Sequence, residues 1–509
     1  MSKCKEALRL NRQFIIGPRI IDELKHWNSF KLDQLNILCA HPNLIVGQAV
    51  SDGNKNLVLI GDVFDPYNIG YGNKEISEDL LANTTSFEDF EKYSKRYSGH
   101  WLCYLNLNGD IRIYPDACGM RSMHYTQLDN NEYWMGSQPG LFHEYLGVEK
   151  DQKILSEFRK YTWPGWWPGN ITPFKNTFKL PSNHYLDLNK KSVYRFWPTE
   201  GLIKDIDLES ASLEISKLLS NIIMAISSRG KIIVSITGGY DSRMIFACTD
   251  KSGNNISAYT LAEPRTSSYD ISIPRKLCNK FKIKYQLLRG SDKDIDLLDI
   301  YRKNTGYSFW DIGSVMVPPL NKLTKNAFIV NGLLGEIFRS FYAPKLNKIS
   351  TDDELTASVI SNICEFSDNK MAIKSFSDWL DSLPKYDEIN ILDMLYWEQR
   401  AGNWASCSHN GSSTFVNSIP ALNCRELLEI ALAVDEKFKV SPYLLARKIC
   451  EKSEPSVLDL PFNTSIRNSL REFGSKFIPW RIRIKYEGLK YTLYGLKDTY
   501  KLKKSGFKL

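Results

Sequence analysis

The sequence predicts a mixed fold: an antiparallel, hairpin-rich first half, then a parallel α/β half with added helices. Three observations carry this. Short β-rich runs broken by turn residues fill the first two hundred positions, the apolar period turns helical soon after residue 203, and strand and helix then alternate. At 509 residues the chain is long enough for two to four domains. We divide it into residues 1–203, 204–466 and 467–509.

Taken in order, the strands of the first half include Asn56-Leu57-Val58-Leu59-Ile60-Gly61 and His100-Trp101-Leu102-Cys103-Tyr104-Leu105. Ile111-Arg112-Ile113-Tyr114 follows an Asn108-Gly109-Asp110 turn, which reads as a hairpin. Trp163-Pro164-Gly165-Trp166-Trp167-Pro168-Gly169 interrupts this half, and Pro198 to Gly201 separates it from the next. Leu208, Ala211, Ile215, Leu218, Leu219, Ile222, Ile223 and Ile226 then recur at helical spacing behind an Asp205/Asp207 start signal. A buried strand over 231–236, a Gly-Gly turn and a helix through Met244 to Ala247 come next. Strands at 256–261 and 285–288 flank a helix from Tyr269 to Lys282, giving the alternation of a parallel sheet. Beyond about residue 350 the pattern is mostly helical, as in 389–404 and 425–434.

Composition narrows the function. No run approaches 18 apolar residues and the opening residues lack the apolar block of a signal peptide, so the chain is read as cytoplasmic. Ten cysteines with no C-x-x-C pair favour buried thiols over zinc or redox chemistry. The net charge of +8 is uneven, because the stretch from Arg467 to Leu509 holds twelve Lys/Arg against three Asp/Glu. The body is thus nearly neutral and the tail basic, with Trp480, Tyr486, Tyr491, Tyr494 and Tyr500 interspersed. Such a tail suits a solvated face, a membrane-surface contact or a nucleic-acid backbone.

The chemistry-bearing stretch is Ser235-Ile236-Thr237-Gly238-Gly239-Tyr240-Asp241-Ser242-Arg243, between a buried strand and a helix start. Two glycines let the backbone turn close to a ligand, and a helix entrance offers unpaired N–H groups to an anion. Ser235, Thr237 and Ser242 add hydroxyls, Arg243 a guanidinium, and Asp241 a carboxylate suited to Mg2+ between phosphate oxygens.

This stretch resembles the pyrophosphate loop of the N-type ATP pyrophosphatases, Ser-Gly-Gly-x-Asp-Ser, with Thr237 in place of the first serine. It has no lysine after the glycines, unlike a Walker A loop. The resemblance implies ATP cleavage between the α- and β-phosphates, and Thr260 and Leu261 on the next strand are counted with this ATP site. The whole chain is similar to the asparagine synthetase family. Tyr97-Ser98-Gly99-His100-Trp101 and Asp116 to Tyr125 resemble its N-terminal glutaminase domain, of N-terminal-nucleophile-hydrolase type. Thr172-Pro173-Phe174 and Leu180 to Leu186 resemble its linking stretch. Val330 to Phe338 resembles its second phosphate segment, which makes Glu336 the expected partner of Asp241 for Mg2+. The implied C-terminal fold is adenine-nucleotide α-hydrolase-like.

The family usually has Asp-Glu where this chain has Gly335-Glu336, and its catalytic acid or tyrosine falls at Gly332 or Leu333, which move no proton. Tyr396, Glu398 and His409 are therefore the candidates for the base. The family's glutaminase uses a cysteine exposed as the first residue, where this chain has Ser2, with Cys4 further in. Its Arg-Gly-Pro-Asp and Asn-Gly segments are also missing, so glutamine hydrolysis is not expected. The pattern resembles β-lactam synthetases and lasso-peptide cyclases. The implied activity is an ATP-dependent carbon–nitrogen ligase that adenylates a carboxylate, of a small molecule or a peptide, and passes the acyl group to an amine. Ammonia-dependent asparagine synthesis, a pyrophosphate-loop tRNA-modifying enzyme and a non-catalytic scaffold are the alternatives, with nucleic acid disfavoured.

Overall fold

The computed structural model describes residues 7–462 apart from 52–54, 160–164, 200, 203–205, 253–254, 263–265, 291–293, 307–318, 321–322, 324–325, 347–354, 387–389 and 441. Ser2, Cys4, Trp163, Pro164, the boundary near 203 and the basic tail with its five aromatic residues lie outside the described residues.

The first half is built on two six-stranded antiparallel sheets. One contains β1 (Phe14–Gly17), β2 (Asn28–Lys31), β3 (Ile37–Ala40), β8 (His124–Gln127), β9 (Tyr133–Gly136) and β10 (Thr177–Lys179), in the order β10-β8-β9-β1-β3-β2. The other contains β4 (Val46–Val50), β5 (Lys55–Phe64), β6 (Ser98–Leu107), β7 (Asp110–Pro115), β11 (His184–Asp187) and β12 (Ser192–Arg195), in the order β12-β11-β7-β6-β5-β4. The hairpin expected at Asn108-Gly109 joins β6 to β7, and both residues take the positive φ that such a turn demands (+59° and +97°).

Alternation along β5 and β6 explains the layering. Val58, Ile60, Leu102 and Tyr104 face the first sheet, meeting Phe14, Ile16, Leu38 and Met135. Leu57, Leu59, Trp101, Cys103 and Leu105 face the other way, into a cluster shared with the C-terminal half. These strands are buried on both faces, so a one-residue slip would exchange the two cores wholesale.

The C-terminal half opens with the expected helix, Leu208–Ser228, capped by Asp207 accepting from the Ser210 N–H. Its sheet is parallel throughout: β13 (Lys231–Ser235), β14 (Ile256–Ala262), β15 (Lys284–Arg289), β16 (Ala327–Asn331) and β17 (Asn417–Pro420), in the order β15-β14-β13-β16-β17. The chain runs outward from β13 to one side, then returns to build the other side from β16, so the order reverses between β13 and β16. At such a switch point the loops leaving the two strands diverge and open a crevice at their carboxyl ends.

Two elements differ from expectation. β17 lies in a region read as helical, because four residues ending in proline are too short to show a period of two and Pro420 is tolerated at an edge. The helix expected over 389–404 is an α-helical turn, Ile391–Met394, running into a π-helix, Leu395–Ala405. Periodicity does not separate the two helix types, and stretches of π-helix concentrate at functional sites. No helix among the described residues is long and apolar enough to cross a membrane.

Candidate functional site

Ser235 ends β13, Thr237-Gly238-Gly239 form the turn, and the helix Tyr240–Cys248 leads away from it. The turn is held by its own side chains. The Thr237 N–H donates to Ser242 Oγ at 3.0 Å, and the Gly239 N–H donates to Thr237 Oγ1 at 3.2 Å. The Gly238 N–H donates to Asp270 Oδ1 at 3.0 Å, from the first turn of the helix Ser268–Lys280. A carboxylate already sits on this amide, as expected where a helix entrance draws anions.

The segment after β16 closes on the same turn. A Cβ on Gly332 would lie 2.7 Å from the Asp241 carbonyl carbon and the Ser242 nitrogen, and one on Gly335 only 2.4 Å from Asp241 Cβ. Both glycines are thus required by close approach, which is why no carboxylate stands beside Glu336 at position 335. Leu334, between them, adopts a left-handed φ of +78°. This bends the chain into the short 3-10 turn Gly335–Arg339.

That turn delivers two charged groups. Glu336 Oε2 accepts from the Tyr396 hydroxyl at 2.7 Å. Arg339 grips Asp241, with Nε 3.1 Å from Oδ1 and Nη2 3.1 Å from Oδ2, while Nη2 lies 3.5 Å from Glu336 Oε1. Burial pushes Asp241 up to about 6, against the pull of Arg339, and Glu336 adds to the rise. Burial and the charge on Glu336 carry the Tyr396 phenol well above its ordinary value. Tyr396 is a donor here, not a base.

Asp241 and Glu336 therefore converge as expected for a metal pair, but a guanidinium occupies the space between their charges. All four carboxylate oxygens face a donor or cation of the protein, and no group of three His, Cys, Asp or Glu suited to a metal ion occurs among the described residues. This arrangement does not fit a resident Mg2+.

The other expected site residues separate. Arg243 is fully buried, and its guanidinium donates to the carbonyls of Gly238, Leu460 and Pro461 and lies 4.0 Å from the Phe462 ring centroid. It anchors the loop from behind, which corrects its assignment to phosphate. The Thr260 hydroxyl is spent on the Ile236 carbonyl at 2.6 Å, and Leu261 packs in an apolar cluster, so neither offers a polar group to ATP through its side chain. Ser235 shares a hydrogen bond with the Tyr259 hydroxyl.

Glu398 is likewise corrected as a base. It accepts from Asn183 Nδ2 at 2.8 Å, Trp379 Nε1 at 2.7 Å and Arg195 Nη1 at 2.5 Å. Burial would raise its carboxyl, but Arg195 holds it below the usual range, so it is a buried anion with every lone pair engaged. It lines a cleft of about 750 Å³ between the two halves with His184, Trp379 and Gln399, and none of Asp241, Glu336 or Tyr396 lines that cleft. His409 is bonded to His100 at 2.5 Å across the same interface and is not a base for this site either. Arg339 and Asp270 are not among the expected site residues, and Gly332 and Gly335 stand in the sequence only as departures from the family pattern, not as positions of close packing. The Gly-x-x-Gly spacing at 332–335 was the one signal that could have found them.

In the first half, the cysteines that the structure describes, Cys39, Cys103 and Cys118, are all buried, with thiols pushed up by burial. None is an activated nucleophile. β1 starts at Phe14, and Gln13 before it is buried and bonded to Ser137 Oγ.

No protein-family model matches the chain, and no curated protein does. Solved structures match loosely. One is a glutamine phosphoribosylpyrophosphate amidotransferase from B. subtilis complexed with ADP and GMP, at 10% identity, covering 67% of this chain and 73% of that one with a TM-score of 0.24. Another is NMN synthetase from Francisella tularensis, at 16% identity, with 37% and 75% covered and a TM-score of 0.17. A U34-tRNA thiolase from Methanococcus maripaludis matches at 12% identity, with 46% and 84% covered and a TM-score of 0.21. Superpositions this loose do not bear on what this chain does.

Proposed function

We propose that the protein is an ATP-dependent carbon–nitrogen ligase of the asparagine-synthetase type that works without glutamine. The observation that carries this reading is the meeting of two loops at the switch point between β13 and β16, where Gly332 and Gly335 press the second loop onto Asp241 of the first. Both loops leave carboxyl ends of parallel strands, the place where open α/β sheets bind nucleotides.

In this reading the turn Thr237–Gly239 takes the β- and γ-phosphates of ATP, displacing Asp270 from the Gly238 N–H. A carboxylate oxygen of the substrate attacks the α-phosphorus, the bond to the bridging oxygen breaks, and pyrophosphate leaves. The acyl-adenylate then meets the amine nitrogen, AMP departs, and the amine proton needs an acceptor. Glu336 is the carboxylate placed for it: Tyr396 holds Oε2, while Oε1, from which the Arg339 cation stands 3.5 Å off with no hydrogen bond, takes the proton, which makes Tyr396 a positioning residue. Among the described residues of the first half the thiols of Cys39, Cys103 and Cys118 are buried, which, with Ser2 in place of a terminal cysteine, supports an amine or ammonia from solution rather than from glutamine.

The direct test is calorimetric titration of the full chain with ATP. One site that is lost in Asp241→Asn, with the fold intact by circular dichroism, is the expected result; no ATP binding by the native chain would end this reading. A panel of carboxylates with ATP and hydroxylamine, read as hydroxamate, then identifies the acyl substrate.

A further inference from the structure

Arg339 has no counterpart among the residues that the sequence reading assigned, yet it is the best-placed cation in the site. It stands at the end of a 3-10 turn framed by two left-handed residues, Leu334 (φ +78°) and Ser340 (φ +41°). Non-glycine residues hold that conformation only where surrounding structure enforces it. The effect is to aim the guanidinium back across the crevice at Asp241. Its two shortest contacts to Asp241, both 3.1 Å, form the fork that suits a carboxylate, and its other carboxylate neighbour is Glu336. Asp241 and Glu336 keep it charged, and burial does not remove its proton.

The charge balance of the crevice follows. Two carboxylates alone would carry two negative charges and invite a divalent cation, which magnesium sites meet with one or two carboxylates plus phosphate oxygens. Here Arg339 cancels one of those charges, and the contact of Gly335 with Asp241 bars a third carboxylate from position 335. A cation arriving between Asp241 and Glu336 would have to expel a side chain held by several charge-assisted contacts.

We infer that Arg339 replaces a protein-held divalent ion in this site. Asp241 and Glu336 hold the guanidinium in place, and the guanidinium in turn meets the phosphates of the bound nucleotide. The inference rests on the reading of the Thr237–Gly239 turn as an ATP site, and it makes pyrophosphate binding independent of a metal bound by the protein.

The test uses the full chain and two probes. Mn2+ is titrated without nucleotide and followed by the electron paramagnetic resonance of the free ion. Pyrophosphate is titrated by calorimetry in EDTA. The native chain should show no stoichiometric Mn2+ site and should bind pyrophosphate in EDTA. Arg339→Ala should open one Mn2+ site, lost again when Asp241→Asn is added, and should weaken metal-free pyrophosphate binding about tenfold to a hundredfold. Arg339→Lys, which keeps the charge, should still exclude Mn2+ and so separates charge from folding. A stoichiometric Mn2+ site in the native chain that disappears in Asp241→Asn overturns the inference and leaves the ATP reading standing. So does an Arg339→Ala chain that takes no Mn2+ or binds pyrophosphate as well as the native chain. Failure of the native chain to bind ATP or pyrophosphate with or without metal removes the ATP reading itself.

Discussion

A carboxylate two residues past a Gly-Gly turn is visible in any sequence, but the direction of the side chains around it is not. Asp241 and Arg243 are neighbours on one helix, yet Asp241 faces the crevice and Arg243 turns behind the loop to the carbonyls of Leu460 and Pro461. Arg339 reaches Asp241 across a sequence separation of 98 residues, so no local pattern announces the pair. Gly335 offers a test at this scale. An alanine there would put a methyl group 2.4 Å from Asp241 Cβ, and one of the two must move. Gly335→Ala should cost roughly 1–3 kcal/mol in denaturant melts, the usual range for overpacking, and should weaken ATP binding more than a remote surface change of equal stability cost. Tyr396→Phe should leave stability within about 1.5 kcal/mol of native while slowing amide formation, because Glu336 loses the donor that orients it.

Among the elements, the long ones were legible and the short ones were not. β5 and β6, ten residues each, show as continuous apolar runs and the helix Leu208–Ser228 by its period, whereas β1, β3 and β17 have four residues each and too few positions to stand out. The π-helix Leu395–Ala405 is the element with most consequence. Tyr396 near its start meets Glu336, Glu398 meets Arg195 and Asn183 from the first half, and the Lys179 ammonium donates to Asn403 Oδ1 and the Gly402 carbonyl near its end. One helix thus touches both the loop after β16 and the interface. Glu398→Gln would leave the Arg195 guanidinium without its anion, and breaking such a buried pair costs about 3–5 kcal/mol. Denaturant melts should show that loss, while ATP affinity per folded molecule should stay near native. A fall in affinity with no loss of stability would instead return Glu398 to the active site.

Across the whole molecule, one apolar cluster runs from Leu57 and Trp101 in the first half to Val234, Leu334 and Leu428 in the second. Interfaces of that kind bind domains into one cooperative unit, so a single unfolding transition is expected. The interface also carries a titratable chain. With Asp62 as an anion, a neutral His100 donates to it from Nε2–H and accepts at Nδ1 from His409 Nε2–H. Burial lowers both histidines, and Arg121 lowers each further. The sign follows: the unfolded chain takes up protons near pH 6.5 and the folded one does not. The stability from these groups is present above that pH and is lost as pH falls below it. For His409, which burial carries well below its ordinary value, the slope should approach about 1.4 kcal/mol per pH unit, and His409→Gln should flatten it in melts at pH 7.5, 6.5 and 5.5. The central claim concerns the loops after β13 and β16, and end-point chromatography of the nucleotides tests it most directly. With a carboxylate and amine that the protein joins, the native chain should yield AMP and pyrophosphate in amounts equal to the amide, and Asp241→Asn should yield neither. Formation of ADP and phosphate would contradict the account.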